Sequence, residues 1–225
     1  MDELHGFCVR MLGHGAAAQA AEQAARAAGH GDRVDALAAA AAACRARNEA
    51  HGLDAPGGPD PAGAPELLAQ AVARELALAT AKLPERQREA LVLRERLRLP
   101  YEQIAGVIGV ENVAVAPLLA RARLRLRAEL RGDGEPRPEC PERDRALRTI
   151  ALRQDSEGVA AVDDDWLVEH LGHCAGCAQA HAAMLEASVC YRAWRLEDDS
   201  SPGGTSRTSA TNGADGVDRG AGPNR

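Results

Sequence analysis

The stretch from Leu83 to Leu130, LPERQREALVLRERLRLPYEQIAGVIGVENVAVAPLLARARLRLRAEL, decides the fold. Pro84 stands where a first helical turn tolerates a missing N–H, and Ala90, Leu91 and Leu93 carry a helix over about 84–97. Tyr101 to Ile108 reads as a short helix ended by Gly109. After a tight turn, an Arg-rich helix runs from about Asn112 to Leu130. Ile104, Ala105, Ile108, Val110, Val115, Leu119, Ala122 and Leu126 have the apolar spacing of two packed helices. The small Ala105 permits a close crossing, and Gly109 can supply the left-handed turn between them. This is a helix-turn-helix, a shape that holds its second helix proud of the body so that it fits the DNA major groove.

Charge and composition around this segment agree with that reading. The 225-residue chain has a net charge of −6, yet residues 82–131 hold 11 cationic and 6 acidic side chains, a block of +5. All cations but Lys82 are arginine, and alanine is abundant while β-branched and aromatic residues are scarce, which favours helix over sheet. The expected fold class is all-α. A basic block inside an acidic chain points to a local anion-binding role such as nucleic acid, or to a solvated arginine face. No 18-residue apolar run is free of charges, so no membrane contact is expected. Asp2 and Glu3 occupy the place where a secretory signal is basic; the expected location is cytoplasmic, and the six cysteines read as thiols or metal ligands.

The chain divides into segments along its length. Residues 1–50 are Ala-rich, with helices near 4–12, 16–28 and 32–48 punctuated by Gly13, Gly15, Gly29 and Gly31. Residues 51–65 hold four prolines and form a linker, and 66–131 contain a helix to Lys82 and the helix-turn-helix. Residues 132–141 form a second linker, and 138–196 bring helices near 142–154, 164–171 and 175–196 around a Cys/His cluster. Asp163 to Asp165 are three adjacent acids that read as capping the helix through Trp166, with metal binding as the alternative. The Ser/Gly/Thr-rich residues 197–225 are expected to be a disordered tail.

LPERQREALVLR, the YEQIA helix and the terminal RARLRLRAEL together closely resemble region 4 of sigma-70-family initiation factors, especially the extracytoplasmic-function type. The resemblance implies that the helix from Asn112 reads the −35 promoter element while other surfaces grip the RNA polymerase core. On this basis Asn112, Ala114, Ala116, Arg121, Arg123, Arg125 and Arg127 are the candidate DNA-contacting positions. The family has Thr, Lys and Arg donors near the helix start where this chain has Ala114, Ala116 and Leu118, and side chains without donors cannot meet phosphates or bases. Pro117, tolerable within a first helical turn, removes one further N–H. Arg121/Arg125 and Arg123/Arg127 are pairs four residues apart that divide between two faces, suited to a backbone and poorly placed for base edges. Promoter DNA binding is therefore expected to be weak in base readout.

Residues 7–47 resemble sigma region 2 through RMLG and the Ala/Glu/Gln helix containing Glu22 and Gln23. Between Cys8 and Pro100 there is no aromatic side chain. Capturing an extruded base depends on aromatic stacking, so the 1–50 segment reads as a degenerate region 2 or a helical hairpin that simply packs.

His170-x3-Cys174-x2-Cys177 offers two thiolates and an imidazole at metal-ligand spacing, and Cys140 is the best fourth ligand for one zinc ion. His173 is the competing imidazole, and His181 reads as a helix-surface residue or a substitute fourth ligand. The pattern resembles the zinc-binding anti-sigma domain, or zinc-finger, of regulators of these same sigma factors, which implies a structural or redox-linked zinc. The CxxC could instead be a thiol redox pair, without the strand-helix context such pairs use. Cys8, Cys44 and Cys190 read as half-buried thiols. No P-loop, GxSxG or HExxH is present, so no enzyme is expected. The expected function is a sigma factor-like transcription regulator acting with RNA polymerase core and promoter DNA, modulated by the zinc domain. Two alternatives stand beside it: an anti-sigma-like protein that sequesters another sigma factor or a polymerase subunit, and a zinc-thiol redox sensor.

Overall fold

Alanine-rich segments with apolar residues at three- and four-residue spacing bury one stripe against a neighbour, and the described helices pack this way. The computed structural model describes residues 3–13, 15–28, 32–51, 64–134 and 139–194. The 197–225 tail and most of the 51–65 linker lie outside the described residues. The described residues form α1 (Glu3–Leu12), α2 (Ala16–Ala27), α3 (Arg33–His51), α4 (Ala64–Ala81), α5 (Glu85–Leu91), α6 (Tyr101–Ile108), α7 (Asn112–Arg131), α8 (Arg143–Gln154), α9 (Ala161–His173) and α10 (Ala175–Ala193), with no strand. The all-α reading holds. No single helix among them is long and apolar enough to cross a membrane.

Helices α1 to α3 pack on one another, with Ala18, Ala21 and Ala25 of α2 letting the axes approach Phe7, Cys8 and Met11 of α1 and Leu37, Ala41 and Cys44 of α3. Cys8 and Cys44 are fully buried rather than half-buried, and only Cys190 of the three extra thiols is partly exposed. Helix α3 then packs against α6, and it is tied to α5 by Arg45, which donates to Glu89 at 2.5 Å, and by Asn48, which donates to Glu85 at 3.1 Å.

The helix expected to run unbroken to Leu97 instead stops at Leu91 and continues as one π-helical turn, Val92–Arg96. The wider turn leaves Glu95 only 2% exposed, facing inward. Arg98, at φ +55°, reverses the chain into Pro100, the N-cap of α6. Helices α6 and α7 meet at 89°, with Gly109 at φ +73° and its N–H bonded to the Ala105 carbonyl at 2.9 Å. That is the geometry of a helix-turn-helix. Helix α9 starts at Ala161, with Ala160 as N-cap, so Asp163 and Asp164 occupy the first turn, where they favour the helix dipole rather than cap it.

Helix α7 is the hub. It packs on α4, α5 and α6 on one side and on α8 and α10 on the other. Buried residues from α1 through Trp194 form one continuous cluster.

Candidate nucleic-acid interface and metal centre

Successive residues on a helix turn by about 100°, so α7 has three sides. Val115, Leu119, Ala122 and Leu126 are fully buried against the helix-turn-helix. Ala116, Ala120 and Arg123, one turn apart in sequence and continued by Arg127 and Arg131, form a second stripe. Ala116 is 3% exposed and Ala120 and Arg123 are 0% exposed. The ends of this stripe bond to the C-terminal helices: Arg131 donates to Glu186 of α10, and the Arg127 Nε lies 3.5 Å from the same carboxylate. The third side is open. Asn112, Arg121 and Arg125 are exposed there, with Ala114, Pro117 and Leu118 half-buried. Pro117 is the sixth residue of α7 rather than within its first turn, so the Val113 carbonyl has no N–H four residues on.

Two of the expected DNA contacts, Arg123 and Ala116, are covered in this structure. Arg123 is enclosed: its Nη2 donates to Glu95 Oε1 at 2.6 Å and Asp155 Oδ1 at 2.7 Å, and its Nε to Glu95 at 3.0 Å. Ala116 is covered. With the C-terminal helices docked, neither faces a groove. Arg127 is half-buried and committed to Asp133 at 2.7 Å. Asn112, Ala114, Arg121 and Arg125 remain accessible to different degrees, and of these only Asn112 and the two arginines carry donors.

The ions around Arg123 form a network that joins the helix-turn-helix to the C-terminal helices. Glu95 also accepts from Ser188 Oγ at 2.7 Å and from Arg192 Nε at 2.6 Å, both on α10. Asp155, just past α8, accepts from the Tyr101 hydroxyl at 2.6 Å, and Arg94 reaches Glu157 at 2.7 Å. Burial works to raise the Asp155 carboxyl, but the Arg123 guanidinium and the Tyr101 hydroxyl outweigh it and hold the group below the usual carboxylate range. Burial and the Asp155 charge push the Tyr101 hydroxyl up.

The second constellation is the Cys/His group. Cys140 precedes α8, His170 lies in the last turn of α9, and Cys174 and Cys177 open α10. Their ligand atoms all lie within 4.8 Å of one another, with Cys140 Sγ 3.6 Å from His170 Nε2. This group could hold a metal ion. The Cys177 amide lowers the Cys174 thiol pKa, while burial raises that of Cys177. The competing imidazoles lie outside the group: His173 Nδ1 faces the Glu169 carbonyl at 2.9 Å, and burial lowers the His181 pKa. The Trp166 ring stacks on His170 at 4.9 Å and carries the Arg145 guanidinium 3.9 Å from its centroid, which fixes the imidazole's orientation. Sequence reading found the four residues; it missed this stack, for which Arg145 and Trp166 give no local signal.

In the N-terminal helices, Glu22 is 15% exposed and is shared by His5 at 2.7 Å and Arg26 at 2.6 Å. Its carboxylate is thus occupied internally.

Residues 73–126, about a quarter of the chain, match the family of sigma-70 region 4. Units of this family are non-enzymatic and act in transcription, meeting promoter DNA and RNA polymerase core. No curated protein and no solved structure matches the chain.

Proposed function

We propose that the chain is a sigma region 4-type regulator of transcription initiation, of the extracytoplasmic-function type, in which a zinc-holding unit over 138–196 controls access to the recognition helix. Residues 66–131 would engage RNA polymerase core and promoter DNA, and 1–50 would act as a degenerate region 2 that packs without melting DNA. One observation carries the reading: the stripe of α7 formed by Ala116, Ala120 and Arg123 is buried, and its end is bonded to α10. With that side closed, DNA meets only Asn112, Arg121 and Arg125, which favours backbone contact over base readout.

The donor set suits zinc. Ligands at about 2.0–2.3 Å around a tetrahedral ion stand about 3.5–3.8 Å apart, and Cys140 and His170 are 3.6 Å apart. Bound zinc would supply structural cross-linking of α8, α9 and α10, with Cys140, His170, Cys174 and Cys177 as ligands. Those helices are the ones that pack on α7 or brace the helices that do. Metal occupancy is therefore linked to closure of the recognition helix.

A second reading rests on the same stripe. Ala116 is apolar where the region 4 resemblance has a cation, and it is buried. A permanently closed α7 fits an anti-sigma-like protein that sequesters another sigma factor or a polymerase subunit. Gel shifts on a promoter library with core polymerase, zinc-loaded and after chelation, separate the two. Binding that rises on chelation supports the gated regulator. No binding in either state, with inhibition of another sigma factor's transcripts, supports the second reading. Neither binding nor inhibition defeats both.

A further inference from the structure

Most arginines near α7 have acidic partners: Arg94, Arg123, Arg127, Arg131 and Arg192 are all in ion pairs. The seam between α7 and α8 is different. An open groove of about 480 Å³ is lined from α7 by Pro117 and Arg121 and from α8 by Arg143, Asp144, Arg145 and Arg148. Asp144 is the acidic group of the lining. Arg145 is engaged on its far side by Asp163 at 2.8 Å and by the Trp166 face. Arg121, Arg143 and Arg148 have no ion-pair partner among the described residues. The Arg143 Nε is buried and makes no hydrogen bond, and a buried donor left unmade costs about 1–3 kcal/mol.

Guanidinium groups facing one another across a helix seam repel unless an anion lies between them. Their planar forks present paired N–H donors that match phosphate oxygens. The groove's volume falls within the about 300–1,000 Å³ of small-ligand clefts. We propose that the α7/α8 groove is a phosphate-binding site, formed by Arg121, Arg143 and Arg148 with Arg145 at its edge. The phosphate comes either from a free phosphorylated small molecule or from a nucleic-acid backbone. In both cases the ligand bridges α7 to α8 and stabilises the closed seam. The site shares Arg121 with the open side of α7; substitutions confined to α8, at Arg143 and Arg148, leave that side intact and so separate failure of this site from failure of the proposed function.

Calorimetric titration of inorganic pyrophosphate into the full chain at low chloride tests one source. Anisotropy with a short duplex of random sequence tests the other. The wild type binds at least one probe, and Arg143→Ala/Arg148→Ala weakens that binding by about tenfold or more. Arg153→Ala, on the same helix but paired with Asp164 at 3.2 Å, changes it less than about twofold. Circular dichroism confirms that each variant is folded. Pyrophosphate binding alone identifies a free phosphate, duplex binding alone a backbone phosphate, and binding of both the shared chemistry. Wild-type protein that binds neither probe, or a double variant that binds as well as wild type, overturns the proposal.

Discussion

Replacing Arg123 by alanine would strand Glu95 and Asp155, each no more than 1% exposed at the side chain, as carboxylates without their guanidinium. Breaking a buried pair in this way costs about 3–5 kcal/mol, because the remaining charge is uncompensated. The loss is a large part of the about 5–15 kcal/mol by which a folded domain is stable, and corresponds to a fall in Tm of roughly 6–20 °C. Here Arg94 and Arg192 stay beside the two carboxylates and soften the loss toward the lower figure. Urea denaturation followed by circular dichroism and by the fluorescence of Trp166 and Trp194 measures it. The acid limb offers a second readout. The Asp155 carboxyl lies below its ordinary value, so its contribution is present above about pH 4 and lost as pH falls below it. The variant's stability should therefore fall less steeply on acidification than that of wild type. An Arg123→Leu/Glu95→Gln/Asp155→Asn combination, which removes all three buried charges of the triad, should recover most of the loss. A change under about 0.5 kcal/mol for Arg123→Ala is what an exposed, DNA-facing arginine would give, and it would refute the account of α7.

Other predictions concern separate parts of the molecule. Burial pushes the Glu89 carboxyl up to about 7, partly offset by Arg45; the folded state then binds more protons than the unfolded one, and stability falls as pH rises from about 4 through 7. Glu89→Gln should remove that slope, gaining about 2–3 kcal/mol on wild type between pH 5 and 8 in urea titrations. Metal analysis should find about one zinc per chain, and Cys174→Ser should weaken zinc retention against a chelator by at least about tenfold. Arg121→Ala/Arg125→Ala should weaken DNA binding similarly for all sequences and reduce its salt dependence by up to about two counterions, with unchanged melting.

Much of this fold is legible locally because helix signals are local. Tyr101–Ile108 is delimited by Pro100 and Gly109, and the start of α7 by the turn that follows, so the observed bounds coincide with those read from sequence. The π-turn at Val92–Arg96 was not legible, because Glu95 faces inward only to meet Arg123, 28 residues on, and Asp155 shares that arginine from beyond a linker. The pairing of Arg121/Arg125 and Arg123/Arg127 on two faces followed from helical geometry. Which face was closed did not, since it depends on where α8 and α10 dock. The four Cys and His residues were legible because ligand chemistry and spacing are encoded in residue type. The burial of Ala116 gives a physical reason for the missing cation there: a charged side chain at that position would have to be desolvated.

The central claim is that the C-terminal helices close the recognition helix. Amide hydrogen exchange across Val115–Ala120, with the chain zinc-loaded and then chelated, measures this closure directly. The account predicts strong protection in the zinc-loaded chain that falls by at least about tenfold on chelation, while α1 to α3 keep theirs. Protection of Val115–Ala120 that is unchanged by metal removal, as α8 and α9 lose theirs, would contradict it.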